Sequence, residues 1–138
     1  MIPKQTDAKS PLALVFWIIW FSILNGLVLI QYFVGGGIPK GEDQGNPPVM
    51  FLALAGVLAL VAMGIRFVLI PRIKDLPKKL PAMIIGLALS EGVGFVGIFA
   101  LGNKFPATQL LLFGCAVGCI LCFAPFYAKP FVDKGHFR

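Results

Sequence analysis

The chain has 138 residues, of which 58% are hydrophobic and 13% are charged, and its mean hydropathy is +0.89. Soluble domains carry about 25% charged residues, so this composition excludes an ordinary soluble domain and indicates an integral membrane protein. A net charge of +6 would favour nucleic acid as a partner of a soluble protein, but here the basic residues have a topological explanation, given below, and no nucleic acid is expected.

Four apolar segments follow one another, each close to the roughly 20 residues that a helix needs to cross a bilayer. The predicted spans are 12–34, 49–70, 82–101 and 107–124. The first follows a basic start, as a signal peptide would. It is longer than a signal-peptide core, however, and no clean small-x-small cleavage site follows it, so we expect an uncleaved span. Residues 1–138 are therefore predicted to form one all-α membrane domain, a bundle of four transmembrane helices.

Prolines set the predicted limits of the second and third spans. Pro71 is expected to end the second helix, because proline lacks the N–H that a continuing helix uses. Pro81 is expected at the start of the third helix, where its missing N–H costs nothing. Residues 72–80 are then predicted to be a short basic loop.

The placement of Lys and Arg predicts the orientation. The chain has 12 such residues, and all but Lys40 and Lys104 lie in the two tails or around the loop between the second and third spans. Basic residues are retained on the cytoplasmic side of a membrane. Both termini are therefore predicted to be cytoplasmic, in a multi-pass protein of the cell (inner) membrane.

Small residues predict how the spans pack, because lipid supplies no hydrophobic force between helices and close backbone approach has to replace it. The third span has small residues on one face, the second has a row of alanines, and the fourth has a G-x-x-x-G pair. The residues expected at helix contacts are Gly86, Gly94, Gly97, Gly114, Gly118, Ala55 and Ala59.

Glu91 lies near the middle of the third span. An ionised acid at that depth costs about 3 kcal/mol on insertion scales, so its presence calls for an explanation. It could titrate and carry a proton or ion. It could instead be structural, with Arg66, Asn25 or Ser90 as a partner. At about 1.5 Å per residue, Arg66 and Glu91 are expected to differ by about 7–8 Å in depth.

Two further patterns are judged against simpler explanations. The segment 92–97 matches G-x-G-x-x-G but follows no strand and opens no helix, so dinucleotide binding is not expected. Cys115, Cys119 and Cys122 share one helical face and could hold a soft metal, although packing is the favoured explanation of small, buried cysteines. No cofactor and no metal are expected.

The third span also carries a resemblance to a known family. Residues 83–91 read MIIGLALSE and are followed by Gly97 and by Ala100-Leu101. This stretch resembles the second helix of the rotary ATP synthase c subunit, the proteolipid, with its small-residue start, Ala-Leu-x-Glu centre and glycine six positions later. The preceding helix and basic, proline-containing loop are similar to the rest of the proteolipid hairpin. The resemblance covers about a third of the chain and implies that Glu91 is an ion-carrying carboxylate.

Three functional hypotheses stay open. The first in rank is a non-catalytic protein that assembles with itself or serves as an accessory subunit of a membrane complex. The second is a proteolipid-like proton or ion carrier that uses Glu91, and the third is a membrane thiol or metal protein. No enzyme is expected, because no nucleophile, base and acid converge in the sequence. The expected partners are the lipid bilayer and other membrane chains, including copies of this one.

Overall fold

A computed structural model describes residues 11–128, and within them the chain is helical with no strands. The helices are α1 (Pro11–Phe33), α2 (Val49–Arg72), α3 (Leu76–Lys104) and α4 (Pro106–Cys122). The first three are long and apolar enough to cross a membrane, and α4 is a shorter apolar helix. The predicted all-α architecture of four apolar helices is confirmed. The basic tail residues that contribute to the predicted orientation lie outside the described range, namely Lys4, Lys9, Lys129, Lys134 and Arg138.

The prediction that Pro81 begins the third helix is wrong. Helix α3 starts at Leu76, after Asp75, whose backbone carbonyl accepts hydrogen bonds from the N–H groups of Lys78 and Lys79 at 3.1 and 3.3 Å. Pro77 lies in the first turn, where its missing N–H costs nothing, and Pro81 follows one turn later, inside the helix. The predicted basic loop 72–80 is therefore reduced to 73–75.

Pro71 does not end the second helix either. A π turn at Ile65–Leu69 precedes it, in which the N–H of Ile70 bonds to the carbonyl of Ile65, and the helix then continues to Arg72. At the other end of the chain, α4 stops at Cys122, two residues before its predicted end. Pro125 follows shortly after, and proline disfavours, without forbidding, helical backbone at the residue before it.

Helix α3 is the centre of the bundle and packs against each of the other three helices. Three of its glycines lie at these contacts. A Cβ atom at Gly86 would overlap the ring of Phe123, one at Gly94 would lie 2.8 Å from Leu27 Cδ1, and one at Gly97 would lie 3.3 Å from Leu112 Cβ. Ala55 of α2 is buried too, and Ala59 is partly buried. Small side chains on α2 and α3 thus let the backbones approach closely.

The G-x-x-x-G pair of α4 was expected to pack inside the bundle and does not. A Cβ atom at either Gly114 or Gly118 would have nothing within 4 Å. Helix α4 turns another face inward, formed by Gln109, Leu112, Ala116 and Ile120. These residues recur at helical spacing, and they place the two glycines on the opposite, outer side.

The loop 34–48 is fastened to the start of α4 by Asp43. One carboxylate oxygen of Asp43 accepts hydrogen bonds from the backbone N–H groups of Ala107 (2.8 Å) and Thr108 (3.3 Å), and the other accepts one from the Thr108 hydroxyl. The residue at the N-cap position is Phe105, which has no side-chain acceptor. Asp43 therefore caps the first turn of α4 from a distant part of the chain.

Asp43→Asn should loosen this cap. Hydrogen bonds from the Thr108 hydroxyl, then from the Thr108 and Ala107 backbone, hold the pKa of Asp43 below its ordinary value of 3.8. A lowered pKa in the folded state means that the stabilisation is present above 3.8 and is lost as the pH falls through the lowered value. At pH 7 we expect faster amide exchange at Ala107 and Thr108 in the variant, measured by hydrogen–deuterium exchange. Equal exchange in the two proteins would contradict the cap.

Candidate functional site

Glu91 lies at the edge of the buried face of α3. Its neighbours Ser90 and Val93 are buried, whereas Glu91 itself is only partly buried. Gly94 contacts Leu27 of α1, and Gly92 faces Leu58 of α2. At about 100° per residue, Glu91 is about 60° from Gly94 and about 100° from Gly92. Its carboxyl group therefore emerges beside α1, at the border between the bundle and its surroundings.

None of the three partners considered for Glu91 binds it. Within residues 11–128 the carboxyl group has no hydrogen bond, and the ion pair found there joins Lys78 to Asp75 at 3.1 Å. The Ser90 hydroxyl donates to the Gly86 carbonyl one turn earlier, at 2.8 Å. Back-bonding of this kind satisfies a buried serine within its own helix, so Ser90 needs no help from Glu91.

Asn25 and Arg66 are turned elsewhere. The Asn25 amide donates to the Phe21 carbonyl of its own helix at 2.8 Å, on the exposed side of α1. Arg66 lies eight residues beyond Leu58, which is level with Gly92, so it is about 10 Å from the level of Glu91 at about 1.5 Å per residue. The sequence-based value of about 7–8 Å was too small, because it placed Pro71 and Pro81 at one level whereas α3 begins before Pro81.

Arg66 instead binds the end of α4. Its Nε donates to the Cys122 carbonyl at 2.6 Å, and its Cζ lies 4.8 Å from the centroid of the Tyr127 ring. Lys79, from the first turn of α3, places its Nζ 5.9 Å from the same centroid. We call Arg66, Lys79 and Tyr127 the basic cluster. In an up-and-down bundle the carboxyl ends of α2 and α4 lie on the same side. The position of Arg66 near the end of α2 was therefore the sequence signal for its contact with the end of α4.

The Tyr127 ring is held from several directions. Phe16 packs edge-on against it with the ring centroids 6.1 Å apart, and its hydroxyl donates a long hydrogen bond of 3.4 Å to the Phe123 carbonyl. Burial raises the pKa of Tyr127 to about 12, although the nearby charge of Arg66 acts in the opposite direction. The phenol is therefore neutral at physiological pH and offers the face of its ring to the two cations.

The three cysteines lie on the outer side of α4. Cys115 and Cys122 are exposed, Cys119 is partly buried, and all three are free thiols. No group of three His, Cys, Asp or Glu side chains that could hold a metal ion occurs among the described residues. The cysteines therefore line a surface.

A shallow surface groove of about 510 Å³ runs along the same outer side of α4. It is lined by Ala107, Leu110, Leu111, Gly114 and Cys115. Leu111 is 64% exposed, so the groove opens outward, and its lining is almost entirely apolar. In a membrane protein such a groove faces lipid or another helix.

The bundle has three separate features: a partly exposed mid-depth acid, an outward-facing small-residue groove on α4 and a basic cluster at one end. A nucleophile, a base and an acid do not converge within the part of the chain that the structure describes. Comparison with protein-family models, curated proteins and solved structures yields no match to this chain.

Proposed function

We propose that this protein is a non-catalytic integral membrane protein that assembles with copies of itself or with other membrane-embedded chains. The observation that carries the proposal is the pair Gly114 and Gly118, which lie four residues apart on the outward side of α4, beside its apolar groove. A glycine inside a helix costs up to about 1 kcal/mol relative to alanine. Inside the bundle nothing offsets that cost, because no atom lies within 4 Å of a Cβ placed at either glycine.

A second helix seated on this groove provides the compensation. Small residues spaced four apart allow two helix backbones to approach closely in a bilayer, where packing replaces the hydrophobic effect as the source of association. Leu110 and Leu111 border the groove and supply apolar contact area on either side of it. A helix of the same kind from another copy has the matching small surface.

The proposal includes an orientation. The loop 73–75 and the basic residues around it lie at one end of the bundle, while Lys40 and Lys104 lie at the other. By the retention of basic residues on the cytoplasmic side, both termini face the cytoplasm of a cell (inner) membrane. This placement puts the Asp43 cap on the outer side.

Gly118→Leu should separate the assembled chains. A leucine at this position blocks close backbone approach, so we expect a several-fold loss of self-association, on the order of 1–2 kcal/mol. Oxidative cross-linking through Cys115, in a variant with Cys119 and Cys122 replaced by serine, reports the association in native membranes. Cys115 lines the groove and is exposed, so paired α4 helices bring two such thiols together.

Gly56→Leu is the matched control. Gly56 of α2 also faces outward with nothing within 4 Å of its Cβ position, but on another side of the bundle. It should cross-link like the parent. A parent protein that neither cross-links nor exceeds the mass of a monomer in mild detergent would contradict self-assembly.

A second candidate function, proton or ion carriage by Glu91, is favoured by a separate observation. The carboxyl group lies at mid-depth in α3, is partly exposed, and has no hydrogen bond or ion pair within residues 11–128. An intramembrane acid facing outward is open to exchange with a neighbouring chain or a water-filled path. The resemblance of residues 83–91 to the proteolipid helix points to the same role.

Glu91 should react with an apolar carbodiimide if it carries protons. Carbodiimides activate the protonated carboxyl group, so labelling should be faster at low pH and slower as the pH rises through the titration of this group. Glu91→Gln should abolish the label, and Glu42→Gln, which removes an exposed loop carboxylate, should not. Mass spectrometry of labelled peptides gives the readout. Labelling that does not change with pH would contradict the carrier function.

A further inference from the structure

The basic cluster brings two positive charges to one aromatic ring. The Arg66 guanidinium carbon and the Lys79 ammonium nitrogen lie 4.8 and 5.9 Å from the Tyr127 centroid. They come from α2 and α3, and Tyr127 follows α4, so three elements meet here. All three side chains are partly buried. Two positive charges gathered at one ring favour an accompanying anion, because each disfavours the charged form of the other.

No acid of the described residues supplies that anion. Between residues 66 and 80 the chain has five basic side chains and one acidic one, Asp75. Asp75 pairs with Lys78 at 3.1 Å, and no carboxylate of residues 11–128 lies within 4.0 Å of Arg66 or Lys79. Arg66 uses its Nε for the Cys122 carbonyl, and the two terminal nitrogens of its guanidinium carry four further N–H donors.

The surroundings of the cluster match the boundary between lipid chains and headgroups. Trp17 packs edge-on against Phe126 with the ring centroids 5.2 Å apart, and aromatic side chains of this kind concentrate at membrane interfaces. On the neighbouring turn of α2, Phe67 and Leu69 are 59% and 45% exposed. A ligand with a negative headgroup and apolar chains would contact both kinds of surface.

We propose that Arg66, Lys79 and Tyr127 bind the phosphate group of an anionic phospholipid. The guanidinium terminal nitrogens and the Lys79 ammonium donate to the phosphate oxygens, and the acyl chains lie along the apolar side of α2. Basic pockets between membrane helices are suited to such headgroups, because a charge-assisted hydrogen bond is stronger where water is partly excluded. The site belongs to a single chain, so it does not depend on assembly or on Glu91.

Native mass spectrometry of the full chain in mild detergent tests the proposal, with phosphatidylglycerol or phosphatidylcholine added. We expect one molecule of phosphatidylglycerol to be retained in preference to phosphatidylcholine. Lys79→Gln should weaken that retention about fivefold, the loss typical of one basic side chain near an anionic membrane surface. Lys79→Arg should keep it. Inorganic phosphate added at millimolar concentration should not displace the lipid.

Lys78→Gln is the decisive control, because it removes the same charge from the adjacent residue, which is exposed and paired with Asp75. It should leave lipid retention unchanged. Equal losses in the Lys78 and Lys79 variants would show a diffuse charge effect and overturn the site. Equal retention of the two lipids would overturn it as well, and displacement by inorganic phosphate would show that the cluster recognises a soluble anion instead of a lipid.

Discussion

Gly86→Ala should lower the free energy of unfolding by about 1–3 kcal/mol, even though alanine is the better helix former. A Cβ atom at this position would overlap the Phe123 ring. Phe123 has 0% exposure, so its ring cannot turn away without displacing other core side chains. The overlap therefore has to be relieved by moving the end of α4 away from α3. Unfolding by a graded denaturing detergent, followed by circular dichroism, measures the effect.

Gly56→Ala provides the comparison for this overpacking effect. The same methyl group at Gly56 would have nothing within 4 Å, because this residue lies on the outer side of α2. Only the helix propensity changes there, so we expect the free energy of unfolding to rise by up to about 1 kcal/mol and not to fall. Equal changes in the free energy of unfolding for Gly86→Ala and Gly56→Ala would contradict the close contact between Gly86 and Phe123 in the folded protein.

The number and type of the helices could be predicted from the sequence, because hydropathy over about 20 residues is a local property. The helix limits near Pro71 and Pro81 could not. Whether a proline ends a helix depends on the carbonyl four residues before it, and here a π turn precedes Pro71 while Pro81 lies one turn inside α3. These details of hydrogen bonding have no reliable sequence signal.

The faces of the helices were predictable on α3 and not on α4. On α3 the glycines Gly86, Gly94 and Gly97 share one face with Ala82 and Ser90, which makes it the richest in small residues, and all three glycines lie at helix contacts. On α4 one face has Gly114 and Gly118 and another has Ala116, and both are small enough to pack. The choice between them is made by contacts with other helices, such as Ala116 against Gly94, which a single sequence does not reveal.

The binding partner of Arg66 was missed for a related reason. The sequence offers Arg66 as one of three possible partners of Glu91, and the estimate of their depths places Pro71 and Pro81 at one level. The level of the Cys122 carbonyl is set by where α4 ends and by how Phe123 seats against Gly86. That is a tertiary contact, and it decides which carbonyl Arg66 can reach.

Arg66→Leu should be the most damaging substitution in the basic cluster, with an expected loss of about 2–3 kcal/mol in the free energy of unfolding. The variant removes a charged hydrogen bond to the last turn of α4, 2.6 Å long, and a cation–π contact with Tyr127. The carbonyl groups at the end of a helix have no partners within it, so loss of the guanidinium leaves the Cys122 carbonyl without its donor.

Arg72→Leu distinguishes this specific role from the general effect of removing a positive charge. Arg72 ends α2, is exposed, and makes no side-chain hydrogen bond or ion pair within residues 11–128. Arg72→Leu should therefore lower the free energy of unfolding only slightly, because an exposed charge contributes about 0–1 kcal/mol. Arg66→Lys keeps the charge near Tyr127 but lacks the guanidinium N–H. Its free energy of unfolding should therefore lie between those of Arg66→Leu and Arg72→Leu in the same detergent unfolding assay. If Arg66→Leu unfolded like Arg72→Leu, the end of α4 would not depend on Arg66. The contact between the ends of α2 and α4 would then be stabilised by apolar packing alone.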